Sequence, residues 1–120
     1  MSNTLAYHGK QSVKDKYLAR VKAHYDADEI IQGVYWENGK GCAVGCTVET
    51  GDNSHEAMAK ELGIPLSIVH LEDKIFEWLS NGKAKEFPLR FLHAIKPGAD
   101  LSKVEYRFKL WLLVGNEIKK

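Results

Sequence analysis

The sequence predicts a mainly α, compact single domain of five or six helices, with at most one short β-hairpin between Gln32 and Val48. Three observations carry that prediction. Apolar residues recur at steps of three and four along most of the chain, the period of a helix with one buried face. Gly, Asn and Pro punctuate that pattern at helix-length intervals. A chain of 120 residues with 44% hydrophobic content is one domain with one core, spanning residues 1–120.

Residues Met1 to Gly9 read as irregular, with Tyr7 and His8 tucked against the body. From Gln11 to Tyr25, Val13, Tyr17, Leu18, Val21 and Tyr25 make a helical face, and Lys10, Lys14, Lys16, Arg20 and Lys22 make its basic, solvated side. Asp26 and Glu29 have capping-box spacing, and Ile30, Ile31, Val34 and Tyr35 keep helical steps, so a short helix ending at Asn38-Gly39 is expected there. The rival is a hairpin pairing Gln32–Trp36 with Cys42–Val48, weakened by Gly33 and Gly45. Residues Glu49 to Asn53 are a loop by composition.

The stretch from Ser54 to Leu79 organises the rest. Ser54 can cap a first helix, Gly63 can end it in left-handed geometry, and Pro65 can start a second. Ile64, Ile68, Leu71, Ile75 and Leu79 then form a long stripe, broadened by Val69, Phe76 and Trp78. Ser80-Asn81-Gly82 is read as a stop, Lys83 to Glu86 as a polar connection, and Pro88 as the start of a helix burying Phe91, Leu92 and Ile95. Asp100 caps a last helix whose stripe is Leu101, Val104, Phe108, Trp111 and Leu112. Leu110, Leu113 and Val114 make that helix apolar nearly all round.

The join at Leu62-Gly63-Ile64-Pro65 resembles a helix-turn-helix, with Ala59, Gly63 and Val69 at its small, turn and core positions. Glu72 departs from it, standing where an apolar residue is normally buried; Leu71 serves instead after a small rotation. The face that would meet a DNA groove holds Pro65, Leu66, Ser67, His70 and Asp73, none of them a bidentate reader of base edges. Between Glu56 and Glu77 five acids stand against two lysines. Phosphate contact dominates DNA affinity, so this balance argues against nucleic acid as a partner.

Formal net charge is +1 with signs interleaved, so there is no bulk footprint for nucleic acid or anionic lipid. The longest apolar run near the end, Leu110 to Val114, is far short of a membrane span, and the N-terminus lacks a signal-peptide core. A cytoplasmic protein is expected. Two cysteines do not make a disulfide scaffold.

Chemistry concentrates in Trp36 to Thr47, WENGKGCAVGCT. On a helix Cys42 and Cys46 lie one turn apart. Their spacing is not that of a zinc knuckle, and four ligands are not in sight, so no metal and no cofactor is expected and both thiols read as buried and unbridged. A thiol or metal-site enzyme built on this loop with Lys40 and one of His8, His24, His55, His70 or His93 is the alternative, although spacing selects no single histidine. Gly39-Lys40 is followed by Gly41, so this is not a Walker loop. Glu72, Asp73 and Glu77, the last two one turn apart, offer paired carboxylates that read first as a solvated face partnered by Lys60 and Lys74, with acid-base work or a divalent ion as the alternative.

The runs WENGKGCAVGCTVE, ELGIP followed by LEDKIFE, and FPLRFL with IKPGADLS resemble a family of small uncharacterised bacterial and prophage-type proteins. The resemblance spans nearly all of the chain after Tyr7. It implies a bacterial or phage context and assigns no catalytic residue.

The function expected on this reading is a non-catalytic binding or regulatory module acting on another macromolecule, a protein partner or a second copy of itself. Leu110, Leu113, Val114, Trp36 and Lys40 are its candidate binding residues. A DNA-binding regulator using residues 54–79 is a further alternative.

Overall fold

The computed structural model describes residues 5–102. A 3-10 turn at Ala6–Gly9 leads into α1 (Gln11–Asp26). A two-stranded antiparallel hairpin follows, β1 (Trp36–Glu37) and β2 (Lys40–Gly41). Then come α2 (Ala43–Val48), α3 (Ser54–Leu62), α4 (Leu66–Trp78) and α5 (Asn81–Ala94). The fold is mainly α with one short hairpin, as its periodicity predicts. No helix among the described residues is long and apolar enough to cross a membrane.

α2 is buried along its whole length and packs against α1, α3 and α4. Its fit depends on missing side chains. A Cβ at Gly41 or Gly45 would collide with the Tyr35 carbonyl, so segment 33–36 lies directly on the helix. That contact overturns the expected helix over residues 26–38. Cys42 N–H donates to Val34 carbonyl at 2.7 Å and Ile31 N–H to Gly41 carbonyl at 2.8 Å, so this segment satisfies its backbone by pairing with the chain that enters α2. The rival hairpin is corrected too: pairing stops at Trp36↔Gly41, and Ala43–Val48 is helical.

α3 and α4 meet at Gly63, whose φ of 66° is the left-handed geometry expected of it. Asn53 rather than Ser54 occupies the N-cap position of α3, and Pro65 that of α4. Between α4 and α5 the expected stop becomes a start. Asn81 and Gly82 open α5, residues 83–86 are helical, and Pro88 sits inside the helix instead of beginning it. Proline removes one helical hydrogen bond. The face Ala84, Pro88 and Leu92, at helical spacing, is nonetheless fully buried, and packing along α1 holds the helix through that position.

Two polar contacts tie the basic helix α1 into the body, which corrects its reading as a wholly solvated face. Lys14 Nζ donates to His93 carbonyl at 2.8 Å, and Arg20 Nη1 donates to Thr47 carbonyl at 3.0 Å. Tyr7 is completely buried and donates its hydroxyl to Leu92 carbonyl at 2.6 Å, whereas His8 is exposed. The last predicted helix, with Val104, Phe108, Trp111 and the candidate binding residues Leu110, Leu113 and Val114, lies outside the described residues.

Candidate functional site

α4 separates two features of different chemistry. Its residues Ile68, Leu71, Glu72, Ile75 and Leu79 face one way, and Asp73 and Glu77 fall roughly opposite on the helical wheel.

On the first side α4 and α5 form an apolar groove of about 570 Å³. Leu71, Ile75 and Leu79 line one wall, Phe87, Phe91 and Ile95 the other, with Leu101 also contributing. The α4 wall, and Phe91 and Ile95 of the other, follow from helical stripes legible in the sequence; Phe87 does not, because it precedes the helix expected to begin at Pro88. Lys83, Glu86 and Arg90 bring mixed charge to the lining. Among these apolar side chains stands Glu72, 1% exposed, and neither of its carboxylate oxygens has a hydrogen-bond partner among the described residues. Burial, then the neighbouring Asp73 charge, hold its carboxyl well above the usual carboxylate range. The expectation that Leu71 would rotate into its place is overturned: Glu72 itself is buried while Leu71 is half-buried at the groove.

On the second side three elements converge. Cys42 precedes α2 and its sulfur accepts from Gly45 N–H at 3.5 Å. Asp73 and Glu77 come from successive turns of α4. One ligand atom from each of Cys42, Asp73 and Glu77 lies within 4.8 Å of the others. His55 of α3 donates from Nε2 to Asp73 Oδ2 at 3.0 Å, stacks on His70 with ring centres 4.3 Å apart, and meets the edge of Tyr35. Gly33 N–H reaches both Glu77 oxygens, at 3.0 and 3.1 Å. Asp73 Oδ1 is buried with no hydrogen-bond partner among the described residues. A cavity of about 220 Å³ opens here, lined by Gly33, Val34, Tyr35, Asp73 and Glu77.

Cys42 and Cys46 are both buried and unbridged. Burial pushes the Cys42 thiol up to about 11 and the Cys46 thiol up to about 12. Their sulfurs have different partners. Cys46 donates to the carbonyls of Gly41 at 3.3 Å and Glu29 at 3.5 Å, while Cys42 sits beside the carboxylates. Of the five histidines, His55 is the one brought to this cluster by direct contact with a carboxylate of it. Sequence spacing offered no signal for that choice, because the contact crosses from α3 to α4.

Trp36 is half-buried on β1, edge-on to His24 with ring centres 5.4 Å apart, and Lys40 is exposed on β2. Neither lines the groove or the cavity at Asp73. His24 lies between two carboxylates, with Nδ1 2.6 Å from Glu29 and Nε2 2.9 Å from Glu49, an arrangement that ties α1 to the start of the hairpin segment and the end of α2. No family model matches the chain, and no curated protein and no solved structure matches it.

Proposed function

We propose that this chain is a non-catalytic protein-binding module, and that the groove between α4 and α5 seats an apolar helix from a second copy of the chain. The observation that carries the reading is the groove itself: two apolar helix faces side by side, half-buried along three turns. A trough between Ile68 and Leu79 is about 16 Å long at 1.5 Å per residue, a match for a short amphipathic helix.

The self-association reading is supported by charge and by sequence. Lys83 and Arg90 alternate with Glu86 on α5, and the chain's net charge of +1 sets up little repulsion between copies. Leu101 lines the groove, and the sequence beyond it supplies Leu110, Leu113 and Val114, an apolar set of the kind the groove accepts. Each such side chain buried contributes roughly 1.5–3 kcal/mol.

Sedimentation velocity and light scattering over a wide concentration range test this directly. Wild type is expected to self-associate. Ile75→Lys in the groove and Leu113→Lys beyond it should each lower the mass while circular dichroism retains the helices. A wild-type chain that stays strictly monomeric at high concentration refutes the proposal.

A further inference from the structure

The geometry points to a binding site for a thiophilic divalent cation of the zinc class on the other side of α4, ligated by Cys42, Asp73 and Glu77, with His55 fixing the Asp73 carboxylate. The ligand types decide the class. A sulfur donor selects against magnesium and calcium, which take oxygen, whereas zinc accepts sulfur and carboxylate oxygen together. Bonds of 2.0–2.3 Å place the donors of a tetrahedral site about 3.3–3.8 Å apart. The three donor atoms here are within 4.8 Å, so a contraction of about 1 Å closes the set. Glu77 is exposed and can supply that movement.

Two further features separate this site from an ordinary acidic surface. The Cys42 side chain is 1% exposed, and the hydrogen bond from Gly45 N–H is one its sulfur accepts, which favours the thiolate a metal requires. Asp73 has one oxygen engaged by His55 and the other, Oδ1, buried without a hydrogen-bond partner among the described residues. That is the arrangement of a carboxylate ligand oriented from behind. As the sulfur–metal bond forms, the thiol proton leaves to solvent. Three protein ligands leave a fourth position, and the cavity lined by Gly33, Val34 and Tyr35 gives water or a small anion access to it.

Cobalt(II) is the probe, added to the full chain under reducing conditions. Wild type and Cys46→Ser should bind one equivalent with a thiolate-to-cobalt charge-transfer band. Cys42→Ser should lose that band. Glu77→Gln, which keeps one side-chain oxygen to accept from Gly33 N–H, should weaken binding by about tenfold or more while circular dichroism shows the helices retained. Absence of saturable cobalt and zinc binding by wild type overturns the proposal. So does a charge-transfer band that survives Cys42→Ser, or an affinity untouched by both Asp73→Asn and Glu77→Gln.

Discussion

Glu72 should make this protein lose stability as pH rises through a range where most proteins gain it. In the folded chain its carboxyl is fully buried and held well above the usual range, so folding favours the protonated form. In the unfolded chain the same group ionises near the ordinary glutamate value of about 4.3. Above that value the unfolded state binds fewer protons than the folded state, and stability falls with pH at up to about 1.4 kcal/mol per unit. The loss continues until pH reaches the raised value in the folded state. Below the unfolded value both states carry the proton and the group contributes no slope. Glu72→Gln removes the ionisation while keeping the shape. Urea denaturation of wild type and variant between pH 4 and pH 7 isolates Glu72 by difference, because every other titrating group is shared. The variant should gain on wild type as pH rises above the unfolded value, with a slope of up to about 1.4 kcal/mol per unit. Glu72→Leu should also gain, by roughly 1–3 kcal/mol at pH 4, from losing a buried polar group that has no hydrogen-bond partner among the described residues. Asp73→Asn removes the second cause of the shift and should narrow the window from its upper end. A difference between wild type and Glu72→Gln that does not change from pH 5 to pH 7 would refute the reasoning, since Glu72 would then ionise equally in both states.

Gly45→Ala should destabilise the fold by about 1–3 kcal/mol or more, seen as a lowered urea midpoint, because its methyl group would meet the Tyr35 carbonyl. Gln32→Ala should cost about 1–2 kcal/mol and speed amide exchange at the end of α4, since Gln32 Nε2 donates to the carbonyls of Phe76 at 2.8 Å and Leu79 at 2.9 Å. Both thiols, buried and pushed up to about 11 and about 12, should react with an alkylating reagent at pH 8 far more slowly than in urea; equal rates measured by mass spectrometry would contradict their burial.

How much was legible differs from element to element, and the reason is range. The expected helix from Gln11 to Tyr25 is observed as Gln11–Asp26, and the stripe from Ile64 to Leu79 as α4, Leu66–Trp78. Both have strong three-four periodicity and a clear Gly or Pro boundary. Residues 26–38 misled because Ile30, Ile31, Val34 and Tyr35 also keep helical steps, while their backbone is satisfied by Gly41 and Cys42, just before α2, and by Glu77. Pro88 misled as a helix start because local rules disfavour it inside a helix, and packing of Ala84 and Leu92 overrides them. Asp73 and Glu77 were legible as paired carboxylates one turn apart. Their meeting with Cys42 was not, since it spans two elements with no common period.

By itself the sequence determined a single mainly α domain, the stripes of α1 and α4 apart from Tyr25 and Trp78, which are exposed, the left-handed corner at Gly63 and two thiols too few for a scaffold. Those features depend on the repeat of the helix and on the conformational freedom of single residues, which the chain carries locally. Only the tertiary structure decided that Glu72 is buried within an apolar groove, that Cys42 parts from Cys46 to join Asp73 and Glu77, and that His55 is the histidine beside them. The physical reason is that these meetings cross between elements: α3 and α4 both pack on α2, and the Tyr35 backbone lies against Gly41 and Gly45, contacts between distant residues that no local period encodes.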